Sequence, residues 1–141
     1  MSTRSRIGVM HGDKLKSVSC HWDGYLSHNG AILQEHYDSA KANHLVSLGD
    51  LSTLKAEIGE KHEFDAITDS CTFYGRDRGE SGVDFDVDQS YAEFLRQDYD
   101  CEFYYIMRDG VWYVGVAYET DDMLPGQLYV LSEQLSKEEA E

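Results

Sequence analysis

The chemically most versatile side chains of this 141-residue chain meet in one short stretch, Ser19–Tyr25. Cys20, His21 and Asp23 carry a thiol, an imidazole and a carboxylate, which could serve as zinc ligands or as nucleophile, base and orienting acid. Successive strand residues point to opposite faces, so Cys20 and His21 would reach one metal ion only if the strand broke between them. No neighbouring cation or oxyanion donor marks Cys20 as a nucleophile. The stretch is therefore interpreted as a structural corner, with no metal ligand and no catalytic residue assigned.

A second group of reactive side chains follows in the glycine-rich, charged segment Gly75–Gly82, which predicts a long loop. The guanidinium groups of Arg76 and Arg78 could grip a phosphate or a carboxylate, or could be satisfied by acids of the same chain. If the protein has a small-molecule pocket, this loop and the corner would form it together. Its candidate residues are His21, Asp23, Tyr25, Arg76 and Arg78.

Three aspartates alternate with apolar residues just after that loop. The alternation predicts a short strand with one exposed acidic face formed by Asp84, Asp86 and Asp88. An EF-hand is excluded, because Gln89 stands where the calcium loop requires glycine and Leu95 where it requires glutamate. Carboxylates two residues apart on a strand are ~6.5–7 Å apart, which approximates the phosphate spacing of a nucleic-acid strand.

Two hairpins are predicted to position these side chains, the first within residues 6–22 and the second within residues 101–118, around Asp109-Gly110. Short helices are predicted between them, residues 50–54 are predicted to form a capped turn, and residues 136–141 are expected to fray. The expected fold is a single α+β domain over residues 1–141, with a mostly antiparallel sheet built from the two hairpins and short helices packed on it.

The formal charge of −15 is confined to one half of the chain. Residues 1–62 hold seven Lys/Arg and seven Asp/Glu, a net charge of zero, whereas residues 63–141 hold five and twenty, a net charge of −15. Such a field repels nucleic acid and anionic membranes and attracts basic protein surfaces. Direct nucleic-acid binding is therefore not expected. The alternative is that the acids only keep the protein soluble.

The cellular location is predicted from two features that the sequence does not show, a membrane span and a secretion signal. No apolar run approaches the ~18 residues of a membrane span. The first six residues lack the apolar core of a secretion signal. A cytoplasmic protein without membrane contact is therefore expected.

The second hairpin carries aromatic residues on both faces. One face can fill the core, and the other is left near solvent or is covered by a helix. Tyrosine and tryptophan are enriched at protein interfaces, so an outward aromatic face would suit a basic protein partner. The acids expected around it are Glu102, Asp109, Glu119, Asp121 and Asp122.

Four separated blocks of sequence carry a family resemblance: Thr3–Gly8, Cys20–Tyr25, Leu48–Ser52 and Phe73–Glu80, which read TRSRIG, CHWDGY, LGDLS and FYGRDRGE. Together they resemble a family of uncharacterised small proteins of bacteriophages and prophages. The resemblance covers the first eighty residues or so and implies no catalytic residues. It implies a setting inside an infected bacterium.

Three functions are open on these grounds. The leading hypothesis is a non-enzymatic phage accessory protein that inhibits a host nucleic-acid-handling or defence protein, with carboxylates replacing phosphates on its basic surface. The second is a small enzyme or ligand-binding protein that uses the pocket named above. The third is a virion or assembly component. No cofactor is indicated for any of them.

Overall fold

The computed structural model describes residues 3–140, which build one mixed sheet. Its eight strands within that range are Ser5–His11 (β1), Lys14–Cys20 (β2), Leu51–Thr53 (β3), Thr72–Phe73 (β4), Asp86–Asp88 (β5), Phe103–Arg108 (β6), Val111–Val116 (β7) and Tyr129–Val130 (β8). The helices are Ala31–His36 (α1), Ser39–Ser47 (α2), Tyr74–Arg78 (α3), Tyr91–Arg96 (α4) and Leu131–Ala140 (α5). A π-helical turn, Leu26–Gly30, leads into α1. None of the helices within residues 3–140 has both the length and the apolar character needed to cross a bilayer.

Both predicted hairpins are present, and the expected α+β class with a largely antiparallel sheet is confirmed. β1 pairs antiparallel with β2, and β6 with β7. The second turn places Asp109 and Gly110 at φ 51° and 79°, the left-handed values that a two-residue hairpin turn of this kind requires. The hairpins join through parallel pairing of β1 with β6, in which Ser5 lies opposite Phe103. The path through the sheet is β4-β3-β2-β1-β6-β7-β8.

The two faces of the sheet pack against different helices. On one face α1, α2 and α5 cover the main core, which includes the fully buried residues Ile7, Leu33, Leu45, Tyr105 and Leu131. On the other face α4 covers a smaller cluster that contains Leu15, Phe94, Cys101, Tyr104 and Ile106. Tyr104 lies across its strand partner Gly115, where a Cβ would overlap the aromatic ring. Glycine is therefore required at that position.

Three local predictions are wrong, each because a distant segment decides the structure. Within residues 50–54, Leu51–Thr53 is a strand because it pairs with β4 and meets Cys20 of β2. The segment 74–78 is helical and ends at Gly79, which has φ 70°. Residues 136–140 do not fray but belong to α5, whose Leu131 and Gln134 are buried, while Glu141 lies outside the described residues.

The stretch after β2 is a structural corner held by buried polar groups. Asp23 adopts φ 57°, and its carbonyl oxygen accepts the amide of Asn29. The fully buried Asn29 side-chain amide nitrogen lies 3.3 Å from Ser5 Oγ, 3.4 Å from Cys20 Sγ and 3.2 Å from the carbonyl oxygen of Trp22. The Tyr105 hydroxyl donates to the carbonyl oxygen of Gly24 over 2.6 Å. These bonds fasten the corner to β1, β6 and the π-helical turn.

Replacing Asn29 by alanine should lower the free energy of unfolding by about 2–3 kcal/mol, because buried acceptors on two segments would lose their donor. Asn43→Ala is the matched control, since the Asn43 amide donates only to Ser39 of its own helix. Urea denaturation of both variants measures the difference. Equal losses in the two variants would contradict the role assigned to Asn29.

Candidate functional site

The predicted corner residues are not assembled into a reactive centre. Cys20 is fully buried, and desolvation raises the pKa of its thiol to about 12, so it is not a nucleophile at neutral pH. His21 lines a cleft on the molecular surface, whereas Tyr25 is 41% exposed and packs beside His28. Asp23 is part of the turn and does not line the cleft. Among residues 3–140, no three His, Cys, Asp or Glu side chains are grouped closely enough to hold a metal ion.

The cleft beside His21 forms because β2 pairs with two different strands along its edge that faces away from β1. Residues Leu15–Ser17 of β2 pair with β5, whereas Cys20 pairs with β3. Ser19 lies in the gap between those partners, and its amide donates instead to Asp50 Oδ1 over 2.9 Å. The gap opens into a cavity of about 350 Å³, lined by Arg4, Arg6, Ser19, His21, Asp50, Tyr74, Glu80, Val83 and Asp100. We call it the switch cleft.

The two arginines predicted to line a pocket already form hydrogen bonds or ion pairs within the chain. Arg76 donates to Asp77 and to the carbonyl oxygens of Ile58, Gly59 and Cys71, so its guanidinium is used internally. Arg78 pairs with Glu80 over 2.6 Å and lies over the rings of two aromatic residues, Phe64 and Tyr74. The five predicted pocket residues are therefore not brought together at this cleft, although Glu80 of the same loop lines it with His21. Only His21 of the five lines the switch cleft, while Arg4, Asp50 and Asp100 were missed because three separate segments supply them.

The imidazole ring of His62 contacts the segment before β4 and the first turn of α3. Its Nδ1 lies 2.8 Å from the carbonyl oxygen of Glu63 and its Nε2 lies 3.0 Å from that of Cys71, so both ring nitrogens face acceptors. Only the protonated ring donates from both nitrogens. These two carbonyl groups raise the pKa of His62, and the Asp77 carboxylate 3.6 Å from Nε2 acts in the same direction. The protonated form of His62 therefore stabilises the fold.

The stability of the protein should depend on the protonation of His62. Because the folded pKa lies above the ordinary value of 6.5, the contribution is complete below that value and is lost as pH rises through the folded pKa. We expect His62→Gln to remove this part of the pH dependence. Urea denaturation between about pH 5.5 and 8.5 measures it. His44→Gln, an exposed change on α2, should keep the wild-type profile. A wild-type profile in His62→Gln would contradict the assignment.

The predicted acidic face is divided among separate places. Asp88 is only 1% exposed and accepts hydrogen bonds from Gln97 and Tyr99, so the expected exposed row of three aspartates is wrong. Asp86 is exposed but pairs with Arg6 over 2.8 Å. Asp84 is exposed next to the switch-cleft residue Val83. The alternation signal misleads here because α4 and the segment after it cover that face of β5.

The other predicted acids lie at opposite ends of the second hairpin. Asp109 is exposed in its turn, whereas Glu102 precedes β6 and Glu119 follows β7 at the opposite end. The two ends are connected there, because the amide of Ala117 donates to the carbonyl oxygen of Glu102. Five exposed acids carried by the segments at this end form no ion pair within residues 3–140. We call this set the acidic end: Asp98, Glu102, Glu119, Asp121 and Asp122.

An apolar groove opens between α4 and the segment 117–126. Its cavity of about 320 Å³ is lined mainly by apolar and aromatic residues: Phe94, Leu95, Asp98, Tyr99, Cys101, Tyr104, Val116, Ala117, Pro125 and Gly126. The exposed side chains of Tyr118 and Leu124 are sequence neighbours of its lining. Desolvation raises the pKa of the Cys101 thiol to about 11, so the groove holds no reactive thiolate at neutral pH. The sequence offered no signal for this groove, because its two walls are about twenty residues apart in the chain.

Comparison of the chain with protein-family models, with curated proteins and with solved structures gives no match. The interpretation of the groove, the acidic end and the switch cleft therefore depends on their chemistry. An apolar cavity that is lined by Asp98, on segments that carry further exposed acids, suits a partner that offers both apolar and cationic groups.

Proposed function

We propose that this protein is a non-enzymatic binding protein that occupies a basic surface of another protein, using the acidic end and the apolar groove. The observation that carries the proposal is that five exposed carboxylates, which form no ion pair within residues 3–140, lie on the segments bordering an apolar groove. The fixed carboxylates would offset the desolvation cost of the partner's basic groups. Burial of apolar surface in the groove would then supply the affinity.

The partner proposed for this surface is a protein that normally contacts nucleic acid. Lysine and arginine side chains that bind phosphates would meet carboxylates instead, so the two ligands would compete. The net charge of −15 would also accelerate association at low ionic strength. In the phage setting that the resemblance implies, the partner would be a host nucleic-acid-handling or defence protein, and binding would inhibit it.

The proposal predicts salt-sensitive capture of nucleic-acid-binding proteins from a bacterial lysate. The immobilised protein should retain them at about 50 mM salt and release them by about 300 mM, since the contacts are ionic. Duplex DNA should displace the same proteins, and mass spectrometry identifies them. Recovery of no nucleic-acid-handling or defence protein at low salt would contradict the proposal.

Charge variants locate the contact. Neutralising three acids of the acidic end in Glu119→Gln/Asp121→Asn/Asp122→Asn should abolish capture. A control variant that loses the same charge elsewhere should retain it: Glu60→Gln/Asp65→Asn/Asp69→Asn, all exposed positions. If both variants lost capture equally, total charge and not this surface would account for the binding.

The exposed aromatic residue that follows the groove-lining Ala117 in sequence should contribute affinity independently of charge. Tyr118 is 73% exposed, so Tyr118→Ala should leave the fold unchanged. We expect it to weaken binding of a captured partner about tenfold, within the range of losses measured when an aromatic interface residue is truncated. Surface plasmon resonance measures the change. Ile67→Ala, which removes a fully exposed apolar side chain elsewhere, should have no effect. An unchanged affinity in Tyr118→Ala would exclude the groove edge from the interface.

A further inference from the structure

The switch cleft contains a guanidinium that is fixed in place and has one unused edge. The Arg6 side chain is 7% exposed, and its Nε and Nη2 donate to Ser17 and Asp86. The centroid of the Tyr99 ring lies 3.7 Å from the guanidinium carbon. Nη1 has no hydrogen-bond partner within residues 3–140, although Arg6 lines the cleft. A guanidinium held in this way loses little side-chain freedom when an anionic group binds.

An acceptor of opposite charge lines the same cleft. Asp50 uses Oδ1 to accept the amide of Ser19, whose strand partner is Arg6, and its Oδ2 has no hydrogen bond within the described chain. Arg4 adds further donors, since its one side-chain hydrogen bond to the part of the chain that the structure describes is from Nη1 to Asp100. Glu80 is already paired with Arg78. Asp50 is therefore the one lining carboxylate that forms no ion pair within residues 3–140, whereas Arg6 and Arg4 keep unused guanidinium nitrogens.

The presence of both cationic and anionic groups in the cleft limits the classes of ligand that could bind there. A simple anion would be repelled by Asp50, and a simple cation by Arg6 and Arg4. A molecule that carries both a carboxylate and an ammonium group would satisfy both sets. The cavity of about 350 Å³ has room for such a molecule, and Tyr74 and Val83 provide less polar wall for its remaining atoms.

We infer that the switch cleft binds a free α-amino acid, whose carboxylate is held by Arg6 and Arg4 and whose ammonium group is held by Asp50. This site is separate from the apolar groove. The segment 98–101 lies between the two sites, because Asp98, Tyr99 and Cys101 line the groove and Asp100 lines the cleft. The inference does not depend on the proposed function.

Calorimetric titration of the full chain with each of the common free amino acids at pH 7 tests the inference. At least one should bind with a Kd of about 1 mM or tighter. Acetate and methylammonium, which each carry one of the two charges, should bind at least about tenfold more weakly. Absence of binding by every amino acid up to about 10 mM would overturn the inference. Acetate that bound as tightly as the amino acid would overturn the ammonium contact.

Three variants connect the binding to the cleft. Asp50→Asn keeps an oxygen for the Ser19 amide but loses the charge, so amino-acid affinity should fall about tenfold or more. Arg4→Gln, at a side chain that is 41% exposed, should weaken it in the same way without loss of fold. Asp109→Asn, in the opposite hairpin turn, should bind like the wild type. Wild-type affinity in both Asp50→Asn and Arg4→Gln would exclude this cleft.

Discussion

The side-chain amide of Asn29 and the hydroxyl of Tyr105 hold the corner at which both hairpins and the helical segment meet. Between them they engage Ser5 of β1, Cys20 of β2 and backbone oxygens of the corner. Each partner would otherwise be a polar group shut away from water, which costs more than an exposed hydrogen bond contributes. The corner therefore fixes how the first hairpin, the second hairpin and the helical segment meet.

The apolar groove and the switch cleft both lie at the end of the sheet that contains this corner. β1 and β6 begin there, and β2 and β7 end there, as their register shows. The switch cleft forms because β2 changes its outer partner near that end, and the groove forms where α4 approaches the segment after β7. Loops at strand ends carry side chains that are not committed to the core, so rigid strands can present them in fixed positions.

The acidic residues have two different roles in the molecule. Asp77 and Asp88 are buried. Burial alone would raise the pKa of the Asp77 carboxyl, but hydrogen bonds from Arg76 and from two backbone amides lower it, so this carboxylate is structural. Asp86 fixes the guanidinium of Arg6. The acids of the acidic end, in contrast, have no cationic partner among the described residues. Net charge alone does not distinguish these roles, because it counts a hydrogen-bonded carboxylate and an exposed one equally.

Local residue preferences specified some elements of the fold. Asp109-Gly110 specified the turn of the second hairpin, and strand alternation separated Cys20 from His21. These features depend on the φ preferences of single residues and on the two-residue period of a strand. Both are properties of residues that are neighbours in the chain. Tertiary structure alone decided the parallel pairing of β1 with β6, the burial of Asp88 and the meeting of Arg6 with Asp50 at the switch cleft. Those contacts join segments that are tens of residues apart, and the free energy that selects them comes from core packing and buried hydrogen bonds, which no local pattern encodes.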